Sequence, residues 1–310
     1  MLRTAIQTRL PESSPVIAYT FSAFERAHTV RRDPAAVAKA WADGRRRIVP
    51  VWRNQHAVDS TFAPLCLPDA DPAKAVFLGL VEGAPWFAID LSSAEAPPDL
   101  GGAWHDLRAV GPALTSSNAC VLGTARGLLA WHRAHRFCGA CGSVTVSEGA
   151  GHVRNCTNPD CARRHFPRLD PAVIMLITDD AGRALLGHAP QMPPGMMTTL
   201  AGFVEHGETL EQAVAREVAE ETAVLVAPSS VRYVASQPWP FPGSLMLAFT
   251  GRAATTAITV DPVELAFAGW YNRAEVAAFR EVAEAGDSPA LPRRDSVARV
   301  LIDQWLAYSA

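Results

Sequence analysis

The clearest hydrophobic signal in the chain is an unbroken run, Ala172-Val173-Ile174-Met175-Leu176-Ile177, just after Pro171. A run without polar interruption predicts a strand covered on both faces. Asp179-Asp180-Ala181-Gly182 predicts a turn, and Ala184-Leu185-Leu186-Gly187 the returning strand. Pro193-Pro194-Gly195 marks a loop, and residues 197–204 read as strand. Helical spacing begins at Leu210. Strands follow at 232–235, 245–250 and 267–271, and a last helix at about 296–306. Upstream, residues 45–52 read as a strand entered from a basic turn, and 75–81 with 86–91 as a strand pair around Glu82-Gly83-Ala84-Pro85. Residues 94–102 read as a loop. Ala119, Leu122, Ala125, Leu129 and Trp131 recur at helical spacing, predicting a helix over about 117–135 with Ser117 or Asn118 as its cap. No internal repeat or low-complexity tract interrupts this α/β texture.

Length and composition narrow the picture. At about 150 residues per domain, 310 residues suggest two domains with room for a small third module. A hydrophobic share of 49% against 19% charged supplies a core and carries no signature of disorder. A net charge of -3 argues against attachment to nucleic acid by bulk charge alone. Arg45, Arg46 and Arg47 read as a solvated strand end. The N-terminus lacks the apolar run of a signal peptide, and Pro238, Pro240 and Pro242 would break any spanning helix in the uncharged stretch 233–251. The expectation is a soluble, cytoplasmic protein.

Cysteine is unevenly used. Cys66 and Cys120 stand alone in apolar surroundings and read as small buried residues. Cys138, Cys141, Cys156 and Cys161 crowd into one short segment, in two knuckles. Four thiolates suit a closed tetrahedral zinc site that contributes folding energy and leaves no open position for chemistry. Redox disulfides, or a zinc ribbon that binds nucleic acid, are the competing readings.

The strongest chemical signal spans residues 202–224. Thr209 and Gln212 form a capping box, so a helix should begin at Leu210. At about 100° per residue, Leu210, Ala213 and Val214 define an apolar stripe. Glu217 and Glu221 fall inside that stripe and Glu220 flanks it, while Arg216 lies off it, able to pair with Glu208. Acids placed where the core should be repel one another and resist desolvation, so they need compensating cations or protons. Hard divalent ions such as Mg²⁺ or Mn²⁺, shared with substrate phosphates, satisfy that need.

These residues carry a resemblance. Gly202, Glu208, Arg216, Glu217, Val218, Glu220, Glu221 and Val224 match the order of the Nudix box. Ala223 stands where the box has Gly. Because Ala can take a helical conformation, the expected effect is a modest loss of stability with activity kept. The resemblance implies an α/β (α+β) fold, a Nudix α/β/α sandwich. It also implies cleavage of a nucleoside diphosphate linked to another moiety.

Downstream, Ser236-Gln237-Pro238-Trp239-Pro240-Phe241-Pro242-Gly243-Ser244 reads on its own either as a substrate wall or as a packed turn. It is similar to the array of the NADH pyrophosphatase branch of the family, which also carries a zinc ribbon before its Nudix domain. The likeness covers about residues 120–306 and implies an N-terminal domain over 1–130, a ribbon over 131–168 and a Nudix domain over 169–310. By position it implies metal ligation by Glu217, Glu221 and Glu264 with the Ala201 carbonyl, and a further ion or water-orienting role for Glu220. Glu264 would lie in an acid-containing strand. Phe166 and Phe203 match rings that stack on nicotinamide, Phe166 standing where Tyr is usual. Gln237, Pro238, Trp239, Pro240, Phe241, Pro242 and Gly243 match substrate contacts, and Ser244, Met246 and Ala298 match further substrate or metal contacts.

The implied reaction is hydrolysis of NADH or NAD⁺ to AMP and nicotinamide mononucleotide, with two or three Mg²⁺ or Mn²⁺ ions, one structural Zn²⁺ and Glu220 or Glu221 as base. Removal of NAD caps from RNA and homodimerisation are implied with it. Two other readings remain: a Nudix hydrolase preferring ADP-ribose or a nucleoside triphosphate, and a catalytically dead, zinc-ribbon RNA-binding module.

Overall fold

The computed structural model describes residues 17–21, 23–281 and 289–307. They form two compact units. Pro238–Gly243 belongs to the first with residues 18–169, while Asp170–Gln237 belongs to the second with Ile17 and residues 244–307.

The first unit opens with β1 (Phe24–Glu25), α1 (His28–Arg31) and α2 (Pro34–Ala42), then β2 (Arg47–Trp52), β3 (Gln55–Val58), β4 (Val76–Val81), β5 (Ala84–Asp90) and β6 (Ala103–Asp106). The six strands form one sheet, ordered β1-β4-β5-β2-β3-β6. After α3 (Leu107–Val110), α4 (Ser116–Ala134) packs Cys120, Leu122, Ala125 and Leu129 against Val49, Val51, Leu78 and Ala88 of the sheet. The cap of α4 is Thr115, whose hydroxyl accepts from the Asn118 N–H at 3.2 Å, so the helix starts one residue before the expected Ser117. Arg45 and Arg46 each pair with an aspartate, Asp43 and Asp69, and Arg47 lies over the Trp86 ring. The expected solvated strand end is thus neutralised locally. Cys120 is buried and Cys66 partly so. A small sheet of β7 (Thr145–Glu148), β8 (Val153–Cys156) and β9 (Arg164–His165) completes this unit.

The second unit is built on β10 (Asp170–Thr178), which carries the apolar run. Its alternation divides that run between two cores. Val173, Met175 and Ile177 point to one face with Ala213, Val214 and Val218, and Ile174 and Leu176 point to the other with Val297, Leu301 and Ile302. Both faces are covered by helix, α5 (Leu210–Thr222) and α7 (Val297–Ala307), which is why the strand needs no polar residue. The result is the expected α/β/α sandwich. Between these helices lie β11 (Ala184–His188), β12 (Leu200–Phe203), β13 (Arg232–Trp239), β14 (Ser244–Arg252), β15 (Phe267–Tyr271) and the short α6 (Arg273–Ala277). The sheet order is β13-β14-β10-β11-β15, with β10 parallel to β14 and β12 antiparallel to β10.

Four expectations are corrected here. The strand expected at 232–235 runs on to Trp239, taking in part of the Pro-rich segment. Pro238 is tolerated because β13 is an edge strand, where a missing N–H breaks no inner ladder. The strand expected over 197–204 is confined to Leu200–Phe203, with Thr198 only bridging to Gly187. Glu264 lies in a turn before β15, not in a strand, its N–H donating to the Asp261 carbonyl at 3.2 Å. Ala223 does not continue α5: it sits in the left-handed region (φ 58°, ψ 7°), the C-cap conformation that favours glycine. Among the described residues no helix is long and apolar enough to cross a membrane.

Candidate functional site

The acids of the second unit are placed by the start of α5. Thr209 Oγ1 accepts from the Gln212 N–H at 3.3 Å, and Gln212 Oε1 accepts from the Thr209 N–H at 2.8 Å. With the first turn locked, Ala213, Val214 and Val218 go to the core, and Glu221 is carried inward with them to 6% exposure. Glu217 is half-buried and Glu220 exposed, as their angular positions require.

Arg216 organises the row. Its guanidinium donates to both oxygens of Glu208 (Nε to Oε2 at 3.0 Å, Nη2 to Oε1 at 2.6 Å), to Glu217 Oε1 and Glu220 Oε2 at 2.9 Å each, and to the Phe203 carbonyl at 2.9 Å. The predicted pairing with Glu208 is present and holds the Glu208 carboxyl below its usual range. Glu208 in turn accepts from the Glu205 N–H at 2.7 Å, which fixes the loop between β12 and α5. One planar fork thus ties strand, loop and helix together.

Gly202 has a role that the sequence pattern did not reveal. A Cβ at this position would overlap the Glu217 carboxyl, so glycine lets the acid lie directly on the backbone of β12. The signal available was a glycine inside a strand.

Glu221 carries the largest electrostatic strain. Burial, and then the charges of Glu217 and Glu264, push its carboxyl up to about 8, opposed by a hydrogen bond from the Ala201 backbone N–H. Burial also raises Glu217, against the pull of Arg216. Glu264 is exposed yet near enough to Glu221 to act on it. A buried carboxyl with neighbouring acids and only an amide donor suits a hard cation. The donor chemistry here therefore fits a divalent ion, although the oxygens are spread around Arg216 and not drawn into one tight cluster.

The other sequence-predicted positions of this unit differ in exposure. Gln237 is buried, with Nε2 donating to the Asp295 carbonyl and Oε1 accepting from the Val297 N–H, both at 2.7 Å. Ala298 is buried among Val297, Leu301 and Ile302. Ser244 and Met246 are half-buried on β14, and Ala201 is exposed on β12 beside Glu221. Phe203 is 60% exposed and free to stack.

Within the first unit, Phe166 is also exposed. Trp239 and Phe241 meet edge to face at 5.0 Å and both pack on Tyr19, and Arg108 lies 4.2 Å over the Phe241 ring. Pro240 is buried and reaches Gly123, while Pro242 is exposed with its carbonyl near Gly127, and Gly243 lies near the Arg168 carbonyl. The array is thus a packed turn as far as its rings are concerned.

The four clustered cysteines meet. Their Sγ atoms all lie within 4.8 Å of one another, with Cys141 to Cys156 at 3.4 Å and Cys138 to Cys161 at 3.8 Å. Tetrahedral zinc with Zn–S of about 2.3 Å requires S···S edges of about 3.8 Å, so the set fits. The knuckle at Cys138 turns through Gly142, whose φ of 76° needs glycine and whose N–H donates to the Cys138 carbonyl at 2.8 Å. Hydrogen bonds from Ser143 bring the Cys141 thiol down to about 6, while burial pushes its neighbour Cys156 up to about 12. His165 Nε2 lies 3.3 Å from Cys138 Sγ, an outer contact that spacing alone did not reveal.

Comparison with known proteins agrees with this geometry. The NUDIX domain profile matches residues 168–293, the NADH pyrophosphatase zinc ribbon domain 133–166, and the NADH pyrophosphatase-like rudimentary NUDIX domain 35–131. A Mycobacterium tuberculosis (strain H37Rv) protein named NAD-capped RNA hydrolase NudC is 37% identical over 300 residues, spanning 91% of this chain and 92% of that one. A Stutzerimonas stutzeri protein of the same name is 39% identical over 231 residues, 74% of this chain and 76% of its own. A human protein named NAD-capped RNA hydrolase NUDT12 is 42% identical over 202 residues, covering 62% of this chain and 43% of the human protein.

Proposed function

This chain belongs to the Nudix hydrolase family, and we propose that it is an NAD(H) diphosphatase that also removes NAD caps from RNA. The observation that carries this reading is the likeness to NAD-capped RNA hydrolases over 91% of the chain. The pyrophosphate of NADH or NAD⁺ would be cut by water: a new P–O bond forms at one phosphorus, the bridging P–O bond breaks, and AMP and nicotinamide mononucleotide leave.

Glu217, Glu221 and Glu264, with the Ala201 carbonyl, would hold two or three Mg²⁺ or Mn²⁺ ions, and Glu220 would hold a further ion or orient water. Such ions supply charge neutralisation of the pyrophosphate and ease ionisation of the attacking water. The protein's own part is positional. Arg216 and Gly202 fix Glu217, and the capping box fixes the direction of Glu220 and Glu221. The water's proton would pass to Glu220 or Glu221, directly or through a second water. Phe203 and Phe166 are proposed as nicotinamide-stacking rings on the strength of the resemblance, each being exposed within its own unit. Ser244, Met246 and Ala298, and the array from Gln237 to Gly243, are proposed as further substrate contacts, the buried Gln237 acting through the Asp295 and Val297 backbone that it holds.

We assign residues 1–130, 131–168 and 169–310 to the N-terminal, zinc-ribbon and Nudix domains, and expect a cytoplasmic homodimer. Light scattering should then give twice the 33.2 kDa chain mass. The deciding experiment incubates the pure chain with NADH and Mg²⁺ or Mn²⁺. Release of AMP and reduced nicotinamide mononucleotide, lost on chelation and reduced at least about a hundredfold by Glu221→Gln, is expected. Faster turnover of ADP-ribose than of NADH would overturn the substrate assignment, and no turnover of either would overturn the enzymatic one.

A further inference from the structure

The first unit holds a cleft of about 1080 Å³ between α1–α2 and the β7–β8 hairpin. Its charged lining is mostly cationic: Arg31 and Arg32 on one wall, beside His28, and Arg164 on the other, with Glu148 the single acid among the lining residues. Among the described residues, Arg31, Arg32 and Arg164 form no ion pair.

The way Arg31 is held is informative. Its Nη1 lies 2.7 Å from His152 Nδ1, and His152 Nε2 lies 2.7 Å from the Phe77 carbonyl. A guanidinium only donates and a carbonyl only accepts, so Nδ1 accepts, Nε2–H donates and the ring is neutral. An aspartate in place of His152 would hold Arg31 equally well and cancel its charge. A neutral ring fixes the guanidinium and leaves the charge to be met by something else.

A second hollow of about 460 Å³ adjoins the first. It is lined by His135, Arg163, His165 and Arg168 with no acid, and shares Arg164 and Phe166 with the larger cleft. The Arg164 guanidinium stands 5.4 Å from the centroid of the exposed Phe166 ring. Residues 131–168 carry six arginines against two acids in a chain whose net charge is -3.

We propose that these two joined hollows bind the single-stranded body of an RNA, with the guanidinium groups of Arg31, Arg32 and Arg164 on successive phosphates. Small-molecule pockets run to about 300–1,000 Å³ and converge on a few polar groups. Here the cations are strung along two connected depressions past an aromatic face, the arrangement that tracks a nucleic-acid backbone. The inference rests on the capped-RNA reading for its purpose, but the binding is measured separately, because an uncapped RNA needs no hydrolysis to bind.

The test uses the full zinc-loaded chain and a fluorescein-labelled, uncapped single-stranded RNA of about twelve nucleotides, with anisotropy read across a salt series. Wild type should bind with salt-dependent affinity. Arg31→Gln with Arg32→Gln should weaken binding about tenfold and lower the salt slope by about 0.7 for each phosphate no longer neutralised. Arg232→Gln with Arg252→Gln, equal charge removed from the other unit, should change affinity less than about twofold, and free NADH turnover should stay unchanged in both. Should the first pair not fold, Arg32→Gln alone, at an exposed position, carries the test. Unchanged RNA affinity in the Arg31/Arg32 variant, equal weakening in the control pair, or displacement by AMP as effective as by RNA would each overturn the proposal. Absence of NADH hydrolysis would strike the enzymatic reading alone and leave the anisotropy result standing.

Discussion

The carboxyl of Glu217 rests on Gly202, in space that a single methyl group would fill. Strand and helix therefore meet backbone to side chain at the centre of the acidic row. Gly202→Ala should push Glu217 off β12 and lower kcat for NADH roughly tenfold to a hundredfold, because small misplacements of catalytic groups are costly. Circular dichroism should show the fold retained, and an unchanged rate would remove Glu217 from the site.

Arg216 makes five hydrogen bonds that one ammonium cannot reproduce. Arg216→Lys keeps the charge but loses the fork, and should lower stability by about 1–2 kcal/mol in urea titrations while reducing kcat. Equal behaviour of Lys and Arg would show that charge alone suffices.

Ala223 occupies a left-handed C-cap (φ 58°), a conformation that costs an L-residue about 1 kcal/mol relative to glycine. Ala223→Gly should raise the melting temperature, with a gain on the order of 0.5–1 kcal/mol, and leave turnover as it was. A lower melting temperature would contradict the strain argument.

Pure protein should contain one zinc per chain by mass spectrometry. Cys141→Ser should lose it and unfold at lower temperature, since metal binding here is folding energy. Full zinc content with three thiols would show that Cys141 is not a ligand.

Burial lowers His56 to about 3, helped by the charge of Arg126, and among the described residues neither of its ring nitrogens has a hydrogen-bond partner. Burial lowers His152 to about 4. In the unfolded chain both titrate near about 6.5. The unfolded state thus takes up protons first, so the stabilisation is full above about pH 6.5 and drains away as pH falls toward the folded values. Urea midpoints should drop over that window, and His56→Leu should flatten the slope. An unaltered slope would mean that other groups set the acid limit.

The helix carrying the acids was legible because its signals are local. The capping box at Thr209, the apolar stripe and the Glu208–Arg216 pairing are all written within one stretch of chain, and each is present. The cysteine cluster was legible for the same reason. What escaped depends on distant partners. Pro238 stays in a strand only because β13 lies at the sheet's edge. The resemblance set Glu264 with Glu221, but nothing in its own neighbours signals that it approaches from a turn. The Arg31–His152 hydrogen bond joins residues 121 positions apart. The Ala223 conformation turns on where the chain must go after α5, which local propensity does not encode.

The reciprocal bonds between Thr209 and Gln212 do more than close a helix end: they define the origin from which the acids are indexed. A single residue inserted between Gln212 and Glu217 would leave every side chain intact and swing all the acids more than a quarter-turn, driving Glu217 and Glu221 into the fully buried places of Val218 and Thr222 and leaving Arg216 or the inserted residue against Gly202.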